Sequence, residues 1–274
     1  MLDPRLTPAR ADLAAAHLAG KVEAARFVEG RPMRIVAASA PLHRRPDPAA
    51  PWDSEALHGE SATVYDERDG WAWVQLARDG YVGYLASATL GEPVKATHWV
   101  AALRAHAYPG PSIKAPHMLA LSLGARVEIV GESGDFLVDA DGRHFWSRHL
   151  APADSTETDF VTVAEKFAHC PYLWGGRTSL GIDCSGLVQA ALTAAGVAAP
   201  RDSDMLEKLG APAEGPPRRG DLMFWKGHVG VMRDGATLLH ANGYHMAVVS
   251  EPLAAAQARI AASGGGGITA TRRL

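Results

Sequence analysis

A weak internal repeat divides residues 31–153 into two similar units. The segment LHGESATVYDERDGWAWVQLARDGYVGYL is echoed by LSLGARVEIVGESGDFLVDADGRHFWSRHL. The corresponding glycines are Gly59, Gly70 and Gly80 in the first copy, and Gly124, Gly134 and Gly142 in the second. The runs between them are short and rich in apolar, β-branched or aromatic residues, which favours strands joined by tight turns. The repeat therefore predicts two small β-barrels, over residues 31–92 and 93–153.

The residues before the repeat differ in composition. Alanine is abundant in residues 11–28, and alanine has the highest intrinsic helix propensity. On a helical projection, one side of this segment would carry Leu13, His17, Val22, Ala25 and Val28. Gly30 and Pro32 would end such a helix. The sequence thus predicts an N-terminal helix within residues 1–30.

The remaining residues, 154–274, contain longer periodic segments. FVTVAEKFAHC and CSGLVQAALTAAG predict helices, and Gly196 stands where the second helix would have its C-terminal cap. DLMFW, HVGVM, TLLHA and MAVVS predict strands, and SGGGGITATRRL predicts a glycine run before one more short strand. Helices followed by an antiparallel sheet are typical of an α+β domain. The composition of APADSTETD, residues 151–159, favours a linker in front of it.

The composition argues against two classes of partner. The chain has 274 residues, a formal charge of −3, a pI of about 6.5 and no basic stripe, so we expect no nucleic-acid partner. No apolar run approaches the roughly 18 residues of a membrane-spanning helix, so we expect no membrane partner. Charged residues interrupt the N-terminal sequence, which is untypical of a secretory signal, and Cys170 and Cys184 are too few for a disulfide framework. These features favour a cytoplasmic protein with free thiols.

Cys184 is the strongest candidate for a nucleophile. It lies in PYLWGGRTSLGIDCSGLVQAAL, after a glycine-rich turn and at the predicted start of a helix. The positive end of the helix dipole and the unpaired backbone N–H groups there favour a thiolate, so we expect a low pKa for Cys184. The Cys184 N–H could also receive a developing oxyanion. Cys170 has no comparable surroundings and is expected to be structural.

A cysteine nucleophile needs a base within hydrogen-bond reach, and His228 and His240 are the candidates. Between them lies Arg233-Asp234-Gly235, which fits a three-residue hairpin loop with Gly235 in the left-handed conformation. This loop would place His228 directly opposite His240 on one face of the sheet, whereas a two-residue loop would separate them onto opposite faces. We therefore predict His228 as the base and His240 as the residue that orients it.

Another hypothesis for Cys184, His228 and His240 is a zinc site. No close ligand pair such as CxxC or HxxxH accompanies them in the sequence. We therefore expect neither a metal nor another cofactor.

Taken together, these segments resemble the NlpC-type cell-wall peptidases, a papain-like family. The resemblance covers residues 160–250 and is carried by YLWGG, DCSGLVQ, GHVGV and a histidine twelve positions after the one in GHVGV. It implies an α+β fold in which a papain-like catalytic domain, residues 154–274, is preceded by two SH3-like β-barrels. It also implies a Cys-His-His triad, here Cys184, His228 and His240.

The order of domains and PRDSDMLEKLG after the nucleophile helix narrow the resemblance to γ-D-glutamyl-L-diamino acid endopeptidases, which are similar to dipeptidyl-peptidase VI. Such enzymes act on murein peptides with a free N-terminal L-alanine, L-Ala-γ-D-Glu-diamino acid, and cut after D-glutamate. The implied pocket residues are Tyr172, Asp183, Ser185, Asp202, Ser203, Glu60 and Tyr81. Asp202 and Ser203 would hold the N-terminal end, and Glu60 and Tyr81 would reach in from the first barrel. A carboxylate from Asp202 or Glu60 would pair with the free ammonium.

The implied reaction is hydrolysis of the γ-linked amide during recycling of murein peptides. Two alternatives stay open at this point. An acyltransferase or another amidase would use the same triad, and barrels of this kind also occur in proteins that bind wall peptides without cleaving them.

Overall fold

A computed structural model describes residues 2–274. The chain divides into two compact units, one up to Asp154 and the other over Ser155–Leu274. The sequence analysis placed a domain boundary between residues 153 and 154, next to this division. Within the described residues, no helix has the length and apolar character needed to cross a membrane.

The predicted N-terminal helix is wrong. Residues 11–28 contain a single 3-10 turn, Ala16–Leu18, between the two-residue strands β1 (Ala14–Ala15) and β2 (Phe27–Val28), which pair in parallel. Leu13 and both residues of β1 are fully buried. The alanines therefore allow close packing, and tertiary contacts override their helix propensity.

Arg10 attaches this N-terminal segment to the sheet that follows. Its guanidinium donates to the Asp66 carboxylate at 2.6 Å and to the Tyr84 hydroxyl at 3.0 Å. The same group lies 4.4 Å from the centre of the Trp73 ring, a cation–π geometry. Arg10 is thus one attachment of the segment, alongside the Leu6 carbonyl, which accepts from the Gln75 side chain, and the Arg5 carbonyl, which accepts from the Val82 N–H.

Seven strands form the first sheet. They are β3 (Arg31–Ile35), β4 (Ser39–His43), β5 (Trp52–Leu57), β6 (Ser61–Arg68), β7 (Trp71–Leu76), β8 (Val82–Ala86) and β9 (Leu90–Gly91). All neighbours are antiparallel, in the order β5-β4-β8-β7-β6-β3-β9, and a 3-10 turn at Ser87–Thr89 precedes β9. Ile35, Leu42 and Leu85 are fully buried in the core that this sheet encloses.

A second set of strands repeats this arrangement. It comprises β10 (His98–Val100), β11 (Arg104–Tyr108), β12 (Leu119–Ser122), β13 (Arg126–Val127), β14 (Ile129–Ser133), β15 (Phe136–Asp139), β16 (His144–Trp146) and β17 (Leu150–Pro152). The order is β12-β11-β16-β15-β14 in one sheet and β13-β10-β17 in the other. Since β13 and β14 together correspond to β6, this is the order of the first sheet with one strand split. A separate core lies around Phe145 and Leu121.

The six repeat glycines mark equivalent turns in the two sets of strands. All six have positive φ, between 60° and 91°. An added Cβ at Gly59 would lie 2.1 Å from the Arg126 carbonyl oxygen, so this glycine also lets the two sets approach closely. The glycine spacing in the sequence therefore reflects backbone that other residues adopt only with strain.

The second unit combines helices with one antiparallel sheet. Its helices are α1 (Phe160–Lys166), α2 (Cys184–Ala194), α3 (Ser203–Leu206) and α4 (Leu253–Ala262). Its strands are β18 (Arg177–Thr178), β19 (Gly181–Ile182), β20 (Ala211–Pro212), β21 (Leu222–Trp225), β22 (His228–Met232), β23 (Thr237–Asn242), β24 (Ala247–Pro252) and β25 (Ala270–Arg273). β18 pairs with β19, and the other six strands form a sheet in the order β20-β25-β21-β22-β23-β24.

The predicted α+β pattern of this unit is confirmed, although several short elements and one longer helix were not predicted. Both predicted helices form, and Gly196 follows α2 with a φ of 79°, as expected for a C-terminal cap. The last predicted strand, β25, inserts between β20 and β21. The sequence analysis did not predict α4, which begins directly after Pro252. This helix carries a side chain of the site described next.

Candidate active site

Helix α2 begins at Cys184, and Asp183 caps it. The Asp183 carboxylate accepts a hydrogen bond from the Gly186 N–H at 2.7 Å, as N-cap side chains do. Its other oxygen accepts from the Gly175 N–H at 2.9 Å, which ties the glycine-rich turn to the helix start. An added Cβ at Gly186 would lie 2.5 Å from the Gly176 carbonyl oxygen, so this close approach requires glycine. These contacts hold the backbone on both sides of Cys184.

Arg201, which the sequence analysis did not single out, is buried against the same residues. It donates to the two Asp183 oxygens at 3.0 and 2.6 Å and to the Ser185 hydroxyl at 2.8 Å. Its side chain is only 1% exposed, and a guanidinium so buried requires a paired carboxylate. The side chains of Asp183 and Ser185 therefore hold the start of α2 together, and their direct contact with a substrate stays a prediction.

The Cys184 sulfur is buried and receives the backbone N–H groups of Val229 and Ser185. Burial, followed by the negative charge of Asp183, raises the pKa of Cys184 to about 12, although both N–H groups and Arg201 oppose the shift. The expected low pKa is therefore wrong. The carboxylate that caps the helix offsets the positive end of the helix dipole, and removal from water disfavours the thiolate. At neutral pH the resting thiol is protonated.

The hairpin that joins β22 to β23 has a three-residue loop, as predicted, but the loop is residues 234–236. The Asp234 carboxylate accepts the N–H groups of Ala236 and Thr237, both at 2.8 Å. These bonds close the turn one position later than the sequence analysis placed it. Gly235 does not take the predicted left-handed conformation. The loop has the predicted odd length but lies one position later in the chain. His228 therefore does not lie directly opposite His240, as the predicted register required.

The two histidines nevertheless meet on one face of the sheet. Because Val231 pairs with Leu239, His240 lies beside Gly230 and diagonal to His228. His228 Nε2 is 2.8 Å from His240 Nδ1, and the ring centres are 5.1 Å apart. An added Cβ at Gly230 would lie 3.0 Å from the His240 Cβ. The missing side chain at Gly230 therefore gives His240 the space to reach His228.

Both imidazoles are neutral at neutral pH. Burial, followed by the nearby His240 and Arg259, lowers the pKa of His228 to about 3. Burial also lowers the pKa of His240, against an upward influence from Glu251. The thiol is thus protonated and both imidazoles are neutral, so a proton transfer has to accompany any attack by the sulfur.

A carboxylate contacts the far side of His240. The Glu251 Oε1 atom, on β24, lies 2.8 Å from His240 Nε2. Arg259 of α4 forms an ion pair with the same carboxylate. The sequence analysis missed both residues, because it did not predict α4 and ended the strand before Glu251. The sequence did contain a signal for this helix: an alanine-rich run follows Glu251-Pro252, and Arg259 lies about two helical turns into it.

The zinc hypothesis conflicts with these contacts. Both ring nitrogens of His240 have hydrogen-bonding neighbours, and the residue would have to give up one of them to bind a metal. Over residues 2–274, no three histidine, cysteine, aspartate or glutamate side chains are grouped as metal ligands would be.

Tyr172 lies near enough to Cys184 for the two groups to interact electrostatically, and its predicted contact with a substrate stays a prediction. Burial, followed by the charges of Cys184 and Asp183, raises the pKa of Tyr172. The phenol therefore keeps its proton and can act as a hydrogen-bond donor.

Asp202 and Ser203 lie at the start of the short helix α3. Asp202 occupies the N-cap position, is half-buried and makes no capping bond through its side chain. Burial lowers the pKa of Arg201, but the charges of Asp183 and then Asp202 raise it overall, so Asp202 is near the buried guanidinium. Ser203 is half-buried beside it. Asp202 is thus placed near Arg201, and the contact of Asp202 and Ser203 with a substrate stays a prediction.

Glu60 and Tyr81 lie in the other unit. Glu60 is 6% exposed, pairs with Arg78 at 2.9 Å and accepts the Leu57 N–H at 2.9 Å. Tyr81 follows the turn at Gly80 and is 4% exposed in the core of the first sheet. Both are interior residues of their own unit, and their predicted role in substrate binding stays a prediction.

Two family models match the chain. Residues 169–259 match the NlpC/P60 family, and this range contains Cys184, His228 and His240. Residues 42–90 match the bacterial dipeptidyl-peptidase SH3 domain and cover most of the first sheet.

Two curated relatives match over more than two thirds of the chain. The chain is 27% identical to dipeptidyl-peptidase 6 of Lysinibacillus sphaericus, over 76% of this chain and 86% of the relative. It is 29% identical to a γ-D-glutamyl-L-lysine dipeptidyl-peptidase of Bacillus subtilis, over 69% of this chain and 71% of the relative.

A solved structure supports the fold. The crystal structure of an NlpC/P60 family protein from Bacillus cereus superposes with a TM-score of 0.74 at 20% identity, covering 89% of this chain and 99% of that one. The chain is therefore a cysteine peptidase whose residues 169–259 belong to the NlpC/P60 family and whose residues 42–90 form a bacterial dipeptidyl-peptidase SH3 domain.

Proposed function

We propose that this peptidase hydrolyses the amide bond between γ-linked D-glutamate and the diamino acid of murein peptides. Cys184 is the nucleophile, His228 the base and His240 the residue that orients the base. The observation that carries the proposal is the 2.8 Å contact between the two imidazoles, one of which, His228, directly precedes Val229, whose N–H reaches the Cys184 sulfur. A nucleophile, a base and an orienting group in one connected set are what a cysteine hydrolase needs.

In the first step, the thiol loses its proton as the sulfur attacks. His228 Nε2 faces His240, which leaves Nδ1 to accept the proton of Cys184. The sulfur forms a bond to the carbonyl carbon, and the carbonyl oxygen becomes an oxyanion. The Cys184 N–H at the helix start and the protonated Tyr172 hydroxyl are the donors for this oxyanion.

In the second step, the carbon–nitrogen bond breaks as the His228 imidazolium gives its proton to the leaving amine. The γ-glutamyl group is then a thioester on Cys184. A water molecule attacks this thioester while His228 accepts one of its protons. The sulfur leaves, takes the proton back from His228, and the dipeptide departs with a new γ-carboxylate.

The proposed substrate, L-Ala-γ-D-Glu-diamino acid, rests on pocket charge and on the relatives. A free N-terminal ammonium would pair with a carboxylate, and the half-buried Asp202, near Arg201, would supply one. One relative is named for the γ-D-glutamyl-L-lysine bond, and the relatives are dipeptidyl-peptidases.

Two further points complete the proposal. The second set of strands is a second SH3-like barrel, which its strand order and turn glycines support.

The physiological setting is recycling of murein peptides in the cytoplasm. Cell fractionation with detection of the protein tests this setting, and recovery only from the cell exterior would contradict it.

Product analysis of a tripeptide tests the substrate assignment. We expect L-Ala-γ-D-Glu-L-Lys to yield the dipeptide and free lysine in a mass spectrum, and the N-acetylated tripeptide to react much more slowly. Equal rates for both peptides would contradict a role for the free ammonium. In the presence of added amines, transfer products in place of the free dipeptide would indicate an acyltransferase instead.

A further inference from the structure

Two neighbours of opposite character compete for His240 Nε2. The Glu251 Oε1 atom lies 2.8 Å away and the Asn242 Nδ2 atom 3.1 Å away. A carboxylate only accepts hydrogen bonds, whereas an amide nitrogen only donates them. Glu251 therefore favours a proton on His240 Nε2, and Asn242 favours a lone pair there.

The orientation of the Asn242 amide follows from its other contacts. The backbone N–H of His245 donates to Asn242 Oδ1 at 2.9 Å, and His245 Nδ1 lies 3.1 Å from the same atom. A backbone N–H has to point at an acceptor, so this atom is the oxygen and the amide NH2 faces His240. The competition at His240 Nε2 is thus a property of the fold.

Glu251 prevails in this competition. Hydrogen bonds to an ionised carboxylate are about twice as strong as those between neutral groups. Arg259 holds the carboxylate in position through an ion pair and lies 4.5 Å above the Tyr244 ring. The side chains of Glu251 and Arg259 are only 15% and 20% exposed, so water screens their interaction little.

We propose that Glu251 sets the tautomer of both active-site imidazoles, and so leaves His228 Nδ1 free to accept the Cys184 proton. With a proton on Nε2, neutral His240 has a lone pair on Nδ1. His228 must then donate its Nε2 proton across the 2.8 Å contact, which leaves its own Nδ1 unprotonated. Glu251 is thus a positioning residue, and the inference rests on the proposed function of the triad.

Removal of Glu251 should reverse this chain of donors. Asn242 would donate to His240 Nε2, His240 would carry its proton on Nδ1, and that proton would point at His228 Nε2. His228 would then hold its proton on Nδ1, where it could not accept another from Cys184. The protein would remain folded with its base in the unproductive tautomer.

The test uses Glu251→Met, which keeps a similar volume but has no acceptor for the His240 proton. We expect kcat for the tripeptide to fall roughly 10²–10⁴-fold, the contribution usual for general base catalysis, with little change in KM. NMR of labelled histidine nitrogens should show the His228 proton moving from Nε2 to Nδ1. Glu251→Gln, which keeps a neutral acceptor, should give a smaller loss in the same direction.

The rescue variant is Glu251→Met combined with Asn242→Asp. It places a carboxylate acceptor on the other side of His240 Nε2, where Asn242 Nδ2 now lies 3.1 Å away. We expect the original His228 tautomer and part of kcat to return, which a purely structural role for Glu251 would not produce. Glu165→Met is the matched control, since Glu165 pairs with Arg233 and Arg219 in the same unit.

Unchanged tautomers and kcat in both Glu251→Met and Glu251→Gln would overturn the inference. So would a folded double variant that recovers neither quantity. The NMR measurement needs no substrate, so it tests the tautomers even if the wild-type protein fails to cleave the tripeptide. That failure would count against the proposed function alone.

Discussion

At the scale of single residues, burial decides the charge state of the reacting group. Cys184 stands at the start of a helix, where the dipole favours a thiolate, yet its cap is the carboxylate of Asp183. With the sulfur buried as well, the neutral thiol is the stable form. The proposed mechanism therefore depends on His228 as an acceptor at the moment of attack.

This charge state predicts the ultraviolet absorbance of the thiolate. Because the pKa of Cys184 is raised to about 12 and that of His228 is lowered to about 3, both groups are neutral at neutral pH. The difference spectrum between wild type and Cys184→Ala should show no thiolate at neutral pH and should develop it only in strongly alkaline solution. A thiolate band at neutral pH that Cys184→Ala removes would contradict this account.

Gly230 predicts a second effect at this scale. In Gly230→Ala the new Cβ would lie 2.8 Å from the Leu238 Cδ1 and 3.0 Å from the His240 Cβ. We expect the free energy of unfolding to fall by about 1–3 kcal/mol, and kcat to fall because the His240 ring is displaced. Urea unfolding and tripeptide turnover measure the two effects.

Gly243→Ala is the matched control for this prediction. An added Cβ there meets nothing within 4 Å, so both quantities should stay near wild type. Wild-type turnover by Gly230→Ala would mean that the close approach of His240 to His228 is unimportant.

At the scale of elements, the N-terminal segment is held by its contacts and not by its own helical propensity. Arg10 makes the main polar contacts, to Asp66, Tyr84 and Trp73. We expect Arg10→Met to lower the free energy of unfolding of the first unit by about 1–2 kcal/mol, as the loss of a partly buried charge-assisted bond and a cation–π contact implies. Urea unfolding followed by tryptophan fluorescence measures this.

Arg31→Met is the control, because Arg31 pairs with Glu67 at the surface with both side chains about half exposed. Such pairs contribute about 0–1 kcal/mol. Equal stabilities for Arg10→Met and Arg31→Met would show that the N-terminal segment is not anchored by Arg10.

The same scale shows what the sequence could and could not predict. Glycine spacing and apolar patterning are local properties, so they predicted the turns of the two strand sets, helix α2 and the strands that carry the histidines. For the alanine-rich residues 11–28 the prediction of a helix was wrong, because burial of Leu13 depends on a sheet distant in sequence. The hairpin loop was placed one position early, because the Asp234 side chain and not Gly235 closes the turn.

The candidate site was predictable to the same limited degree. Motif residues placed Cys184, His228 and His240 in one domain, and an odd loop placed both imidazoles on one face. Arg201, Glu251 and Arg259 were missed. Glu251 lies past the predicted end of its strand, Arg259 lies in a helix that was not predicted, and the role of Arg201 follows from its contact with Asp183. The low pKa expected for Cys184 was wrong because burial cannot be judged from a helix start alone.

At the scale of the whole molecule, an SH3 domain and an NlpC/P60 peptidase domain share one chain. The peptidase unit alone contains Cys184, both histidines and the carboxylate and guanidinium that support them.

The most direct test of the central claim is tripeptide turnover by wild type, Cys184→Ala and Cys170→Ala under one set of conditions. We predict release of the diamino acid by wild type and Cys170→Ala, and a loss of at least roughly 10³-fold in Cys184→Ala, as expected when a nucleophile is removed. Folding of each variant is checked by thermal unfolding. Turnover by Cys184→Ala at the wild-type rate would contradict the account.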